Sequence, residues 1–212
     1  MYRQMRAAIA ALSAVCLLAA CALSEDKVPV DYVPASTPAA LPGAENVTLS
    51  LTATDRRVQY ADRIGTKKNG YGMEMARIVA TNDVVDLVRR SLEQEFKAQG
   101  FRIGEGGAAV AIEVQNFYNN FKVGLVSGIA AAEVNFSLKV RDAAGTLLYQ
   151  QFYAGTGAVE GVMLASGTNA KAGVEKALAA AIRMAGDDVE LQKALLSTWP
   201  RSAPVPGRRM GS

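Results

Sequence analysis

The sequence predicts an α+β domain, built from one twisted antiparallel sheet of five or six strands with helices packed on one face. Two observations support this class. Apolar and polar residues alternate with period two over several short stretches, which is typical of half-buried strands. Other stretches carry apolar residues at helical spacing and are bounded by capping residues. Strands come first, then a helix, then more strands and two closing helices, an order that favours segregated elements over alternating units.

The composition limits the chemistry that the chain can perform. It has 212 residues, a formal net charge of +3 and no histidine, which excludes histidine-based acid–base catalysis and histidine metal ligands. Its two cysteines are Cys16 and Cys21, and we expect Cys16 to be removed with a signal peptide, so that no disulfide can form. The part that remains after removal of Arg3 and Arg6 with the signal peptide has 21 basic against 20 acidic side chains and is nearly neutral. Because the chain also lacks a cofactor motif, we expect no cofactor, no enzymatic activity and no nucleic-acid partner.

The N-terminus is typical of a lipoprotein precursor. Two arginines precede an apolar run over residues 7–20, which is too short to span a hydrocarbon core of ~30 Å as a helix. The run ends in Leu-Ala-Ala directly before Cys21, the pattern of a lipobox. We therefore predict a signal peptide over residues 1–20 and acylation of Cys21 with palmitate-type chains. The alternative is a secretory signal that happens to contain a cysteine.

The predicted anchor also suggests a location. One acyl chain holds a protein only marginally, whereas two or three hold it firmly in a bilayer. Ala22 follows the cysteine, while the residue that retains lipoproteins in the inner membrane is aspartate at that position. By resemblance to sorted lipoproteins, we expect attachment to the outer membrane on its periplasmic side, with the inner membrane as the alternative.

Proline positions delimit the folded domain. All seven prolines lie outside residues 46–199, and proline is rare where helices and strand ladders form. We therefore predict a domain over residues 46–199. Residues 21–45 are predicted to form a flexible Pro/Ala/Ser-rich linker that holds the domain some 25–30 Å from its anchor. Residues 200–212 are predicted to form a disordered basic tail.

The first half of the domain is predicted to contain a strand, a hairpin and a helix. Residues 47–54 alternate as a strand, and Asn69-Gly70 marks a turn between hairpin arms at 58–66 and 71–80. The hairpin is basic, which fits either a charged, solvated sheet edge or a contact with anionic lipid or glycan. Its candidate ligand-binding cations are Arg57, Arg63, Lys67 and Lys68. A helix is predicted from Asp83 to Gly100, which are typical cap residues.

The second half is predicted to contain three strands and two helices. A strand over residues 110–118 runs into a mixture of aromatic and amide residues that includes Phe117, Tyr118 and Phe121. These rings could stack on sugars, or they could be packing residues of the sheet. The apolar, glycine-rich segment 123–129 could touch a membrane or partner, or continue the strand inward.

A strict alternation over residues 132–141 and a return over 146–154 predict an antiparallel hairpin. An alanine-rich helix is predicted over 169–185, with small residues that let it lie close to a sheet. A last helix is predicted to begin at Asp188 and end by Trp199.

The lipobox, this order of elements, and the motif Leu92-Glu-Gln-Glu-Phe96 before Gly100-Phe101 resemble the YajG family of envelope lipoproteins. The resemblance covers roughly residues 47–196. It implies an outer-membrane lipoprotein with no assigned reaction and a small α+β fold similar to the N-terminal domain of TolB, and it carries over no catalytic residue. The basic tail and the segment 123–129 depart from the family pattern.

Three functions follow as hypotheses. The first is a non-enzymatic lipoprotein, attached to the membrane through its acyl chains, that contacts another envelope protein or peptidoglycan. The second is a module that binds a small lipid or glycan through the aromatic and cationic residues named above. The third is an enzyme, which would require carboxylates such as Glu113 and Glu133 to converge although they lie on different predicted strands.

Overall fold

The computed structural model describes residues 24–122, 124 and 127–199. The predicted signal peptide, Cys21 and the predicted tail over residues 200–212 lie outside the described residues. The described part folds as an α+β domain with eight strands and three α-helices. The strands are β1 Asp26–Val28, β2 Thr48–Asp55, β3 Gly65–Lys68, β4 Glu74–Ala80, β5 Arg102–Ile103, β6 Ala108–Lys122, β7 Gly128–Arg141 and β8 Leu147–Val162. The helices are α1 Val84–Ala98, α2 Gly167–Gly186 and α3 Val189–Ser197.

The long strand β6 organises the sheet. On one side, β7 pairs with it in the antiparallel sense and β8 pairs with β7. On the other side, β2 runs parallel to the first half of β6, while β3 meets the second half at Asn119. Strand β5 lies beyond β2, and β4 and β1 lie beyond β3.

The prediction of five or six antiparallel strands is therefore wrong in number and direction, because the sheet has eight strands in a mixed parallel and antiparallel arrangement. Strands β2 and β6 can be parallel because a long connection, which contains β3, β4, α1 and β5, separates them in the chain. Strands β1 and β5 escaped the prediction because two or three residues are too few to display a period of two.

All three helices agree with the prediction, and side chains cap each of them. The carboxylate of Asp83 accepts hydrogen bonds from the amides of Val85 and Asp86 at the start of α1. Ser166 caps α2 and Asp188 caps α3 in the same way. Helix α1 is followed by Gly100 in the left-handed conformation.

Helix α2 covers the inner face of β6, β7 and β8. Many residues on its buried face are alanine or glycine, as predicted, and they lie against Gly155 and Gly157 of β8. A Cβ added at Gly155 would lie 2.1 Å from the carbonyl oxygen of Ala177, so only glycine permits this approach. The core between α2 and the sheet is aliphatic and aromatic apart from Asn119, which is fully buried on β6 against Gly173. Residues of the opposite sheet face such as Glu133 and Thr156 are exposed.

The segment that was predicted to be a flexible linker belongs to the folded domain from Asp26 onward. Strand β1 pairs parallel with β4, Val30 and Ala44 are buried in the core, and Leu41 packs against it. The Lys67 ammonium lies 2.6 Å from a carboxylate oxygen of Asp26. The prolines of this segment, at positions 29, 34, 38 and 42, all follow β1 and therefore remove no hydrogen bond from its ladder.

Candidate functional site

The structure separates the aromatic residues that were predicted to bind a ligand together. Phe117 and Phe121 are core residues, 0% and 4% exposed, whereas Tyr118 points to the opposite sheet face and is half-buried. A bulge at Gln115 shifts the register of β6, so that odd-numbered residues turn inward after it. The prediction of a shared stacking platform is therefore wrong for Phe117 and Phe121, and the packing alternative holds for both rings.

The cations that were predicted to form a ligand-binding surface are engaged within the protein. An Arg57 guanidinium nitrogen lies 2.7 Å from Asp55, and one of Arg63 lies 2.9 Å from Asp62. These arginines lower the pKa of the Asp55 and Asp62 carboxyl groups by hydrogen bonding. Lys67 is buried on Asp26, and the Lys68 ammonium donates to Asn120 Oδ1 at 2.8 Å. All four cations thus have partners within the protein, and the fold explains their positions without a bound ligand.

Tyr118 has a partner that the sequence did not suggest. Its ring stacks on that of Tyr60, with centroids 4.1 Å apart and planes at 15°. The guanidinium of Arg63 lies 5.8 Å from the centre of the Tyr60 ring, and the Tyr118 hydroxyl is 3.0 Å from Thr66 Oγ1. Tyr60 has a left-handed backbone (φ 56°), which is unusual for a residue with a side chain. No local sequence signal marks this pair, since 58 residues separate its members.

The two carboxylates considered for catalysis do not meet. In the ladder between β6 and β7, Glu113 lies opposite Ser137 and Glu133 lies opposite Tyr118. Four residues of β7 therefore separate their positions, about 14 Å at 3.4 Å per residue. Glu113 is paired instead with Lys139 at 3.0 Å. Among the described residues, no three acidic or cysteine side chains come together in a way that could hold a metal ion.

One end of the sheet carries a concentration of exposed apolar side chains. We call it the loop end and define it by residues 69–73, between β3 and β4, and residues 163–166, between β8 and α2. Its four large apolar side chains are Tyr71, Met73, Met163 and Leu164, which are 92%, 58%, 80% and 70% exposed. A cleft of about 180 Å³ lies between the two connections, with Lys68 and Lys122 in its wall.

The turn at residues 69–73 is held in a defined shape. The side-chain oxygen of Asn69 accepts hydrogen bonds from the amides of Tyr71 and Met73, both at 3.0 Å. The Asn69 amide donates to the Met73 carbonyl at 3.0 Å, and Gly72 adopts a left-handed conformation. A hairpin is thus present around the predicted turn, but its arms are Gly65–Lys68 and Glu74–Ala80 rather than 58–66 and 71–80. Its five-residue loop presents Tyr71 to solvent.

The chain enters the domain at this same end. Strand β1 runs parallel to β4, which itself leaves the turn at residues 69–73. Glu25, the residue before β1, lies 2.8 Å from Arg77 of β4. Of the described residues, Ser24 and Glu25 therefore lie on the loop-end side of β1. Of the apolar segment 123–129, Gly124, Ser127, Gly128 and Ile129 lie at this end too, and residues 123, 125 and 126 are outside the described residues.

Comparison with known families decides the class of protein. The sequence model of a family described as uncharacterized lipoproteins, Lipoprotein_16, matches residues 34–196. The chain belongs to this lipoprotein family. The match begins at residue 34, within the segment that was predicted to be a linker, and ends within α3, so it includes the later part of the docked N-terminal segment but not β1. No curated protein matches the sequence.

Two solved structures are similar to this chain at low identity. A protein from Xanthomonas campestris is 15% identical, with a TM-score of 0.49, and the match covers 82% of this chain and 96% of that one. A minor lipoprotein from Acinetobacter baumannii is 8% identical, with a TM-score of 0.42, covering 70% and 95%. Membership of the lipoprotein family points to a membrane-anchored envelope protein. Within the described residues, none of the helices has the length and apolar character needed to cross a bilayer.

Proposed function

We propose that this chain is a YajG-like lipoprotein of the outer membrane, anchored by acyl chains on Cys21 and facing the periplasm. It acts without catalysis, by contact with another envelope component, either a protein or peptidoglycan. The observation that carries this proposal is the lipoprotein family match combined with the Leu-Ala-Ala-Cys pattern that ends at Cys21. Two or three acyl chains at that position suffice for stable attachment.

The largest pKa shift among the titratable groups, in a pair of tyrosines, arises from contacts that stabilise the fold. This supports a role without catalysis. Burial raises the pKa of Tyr149 to about 12 and also raises the pKa of Tyr153. Both hydroxyls donate to one carboxylate oxygen of Asp188, at 2.5 and 2.8 Å, while the other oxygen of Asp188 caps α3. This cluster joins β8 to α3 and therefore belongs to the fold.

Separation of inner and outer membranes on a density gradient tests the location. We expect the wild-type chain in the outer-membrane fraction. Ala22→Asp should move it to the inner membrane, and Ala22→Ser, a matched change without charge, should leave it in place. Cys21→Ala should remove the anchor. A wild-type chain in the inner membrane or in the soluble periplasm would contradict the proposal.

Cross-linking in intact envelopes and sedimentation with purified peptidoglycan test the contact. We expect either one reproducible cross-linked envelope protein or co-sedimentation with peptidoglycan. Cross-linking that recovers only the chain itself, together with no sedimentation, would contradict a contact role.

The second candidate function is a module that binds a small glycan or lipid. It is favoured by the stacked pair of Tyr60 and Tyr118 beside Arg63, because a partly exposed tyrosine next to an arginine suits a sugar ring or an anionic group. Titration with glycan fragments or anionic lipid, followed by amide NMR, should shift resonances near these three residues. Unmoved resonances would exclude this function.

A further inference from the structure

We propose that the loop end is a second membrane contact of this protein. Its residues Tyr71, Met73, Met163 and Leu164 enter the headgroup region of the phospholipid bilayer that holds the acyl chains of Cys21. This inference rests on the acylation proposed above, and it adds a contact surface and an orientation. The end of the sheet that faces the membrane contains the last residues of β3 and β8 and the first residues of β4.

The loop end has the chemistry of a surface that meets lipid. Residues 69–73 and 163–166 contain no charged side chain, while the turn at the opposite end of β7 begins with Asp142. Four large apolar side chains, between 58% and 92% exposed, stand on two adjacent connections. Apolar groups concentrated in this way on a protein surface mark sites of interaction. Tyrosine is also favoured at bilayer interfaces because one end of its ring is apolar and the other is polar.

Charges behind the apolar tips suit a phospholipid surface. Lys68 and Lys122 flank the cleft of the loop end. Lys68 donates to Asn120 and to the carbonyl of Phe121, which holds its ammonium at this end of the sheet. Glu74 lies opposite Lys68 in the ladder between β3 and β4 and is the acidic residue at the base of the turn. Lysine ammonium groups attract anionic headgroups while apolar neighbours insert more deeply.

The length of chain before β1 sets the height of the domain. Asp26 lies opposite Ile78, so continuing the register would place Ser24 level with Ala76 of β4. Cys21 precedes Ser24 by three residues, and Met73 precedes Ala76 by the same number. Since each residue spans at most ~3.6 Å, the cysteine lies within about 11 Å of Ser24 whatever path the chain takes. The anchor and the tip of the loop end can therefore reach the same depth.

The tether also has a fixed point of origin. Asp26 accepts a hydrogen bond from the Gly167 amide at 2.8 Å and pairs with the buried Lys67. The carbonyl of Val28 accepts from the amide of Thr81 at 2.9 Å. These contacts tie β1 to β3, β4 and the start of α2. Rotation of the domain away from the bilayer is limited because only a few residues separate this fixed strand from the anchor.

Depth-dependent fluorescence quenching of the full-length, acylated protein tests the inference. In the proposed mature protein, Cys16 is removed with the signal peptide and Cys21 is acylated, so Leu164→Cys supplies the one thiol for an environment-sensitive dye. Tyr71→Cys supplies a second position. Ala144→Cys, in the turn at the opposite end of the sheet, is the matched control. The protein is reconstituted in vesicles of phosphatidylethanolamine and phosphatidylglycerol that carry nitroxide-labelled lipid.

We expect dyes at positions 164 and 71 to be blue-shifted and quenched several-fold more strongly than the dye at 144, at a depth of about 5–10 Å into the boundary between headgroups and acyl chains. Quenching at 164 and 71 that equals quenching at 144 would overturn the inference. A blue shift without quenching by lipid would also overturn it, because a protein surface would then cover the loop end.

A variant series separates this inference from the proposed function. With the dye at position 71, the double change Met163→Glu and Leu164→Glu should reduce quenching, whereas Leu147→Glu at the far end of β8 should not. Flotation of the vesicles and the mass of the N-terminal peptide report the anchor independently. A protein that floats and is acylated but shows no quenching contradicts the docking alone. A protein without acyl chains contradicts the proposed function, and the docking with it.

Discussion

Glu95 is an acidic residue whose burial disfavours its charged form. It lies in α1 with 6% exposure, and the Tyr32 hydroxyl donates to it over a long distance of 3.4 Å. Burial raises the pKa of the Glu95 carboxyl group, and the nearby charge of Asp187 adds to the effect. The folded state thus binds this proton more tightly than the unfolded chain. Its stability should be greatest below the ordinary pKa of glutamate and should fall as the pH rises through the raised pKa.

Glu95→Gln should therefore increase stability at neutral pH, by about 1 kcal/mol, the order of the cost of one poorly satisfied buried polar group. The gain should shrink when the pH is lowered, since the wild-type carboxyl group is then neutral. Urea unfolding at a series of pH values measures both effects. Glu105→Gln, in an exposed loop, is the control and should change neither. A less stable variant at neutral pH would contradict this reading of Glu95.

At the level of elements, the close approach of α2 to the sheet depends on glycine in β8. Gly155→Ala would place a Cβ 2.1 Å from the Ala177 carbonyl and 2.4 Å from the Ala181 amide nitrogen, so the helix must move. We expect a loss of about 1–3 kcal/mol in the free energy of unfolding, as for other overpacked cores. Gly70→Ala, where a Cβ would meet no atom within 4 Å, should be nearly neutral. Equal effects of the two changes would contradict the packing argument.

Strand β1 should depend on the charge of Asp26. Asp26→Asn removes the ion pair with the buried Lys67 and weakens the bond to the Gly167 amide. We expect faster hydrogen exchange over residues 24–32 and a stability loss of about 1–3 kcal/mol, because hydrogen bonds to charged groups are stronger than neutral ones. Asp31→Asn breaks an exposed pair with Lys171 and is the control. Unchanged exchange in Asp26→Asn would show that packing alone holds β1.

The elements also show what a sequence can predict. Helix α1 was predictable because its cap at Asp83 and its apolar stripe are local features. The parallel pairing of β1 with β4 was not, since its partners are 52 residues apart and β1 has three residues. In the candidate site, the faces of Phe117 and Tyr118 depended on the bulge at Gln115, which no residue type announces. The loop end was missed because exposure of Met163 and Leu164 is a property of the assembled sheet.

At the scale of the whole molecule, the docked N-terminal segment changes how the protein sits in its envelope. A free linker over residues 21–45 would allow the domain to move some distance from its anchor. The folded part begins at Asp26, however, only five residues from the cysteine that we expect to carry lipid. In the orientation proposed above, the two charge-free connections of the loop end lie next to the anchor, and the opposite end, with the turn at residues 142–146, faces the periplasm.

This account depends first on the lipid at Cys21. The most direct measurement is mass spectrometry of the N-terminal peptide of the protein isolated from its native envelope. We predict a peptide that begins at Cys21 and carries the added mass of two or three acyl chains. A peptide that begins at Met1, or a free thiol at Cys21, would contradict the account.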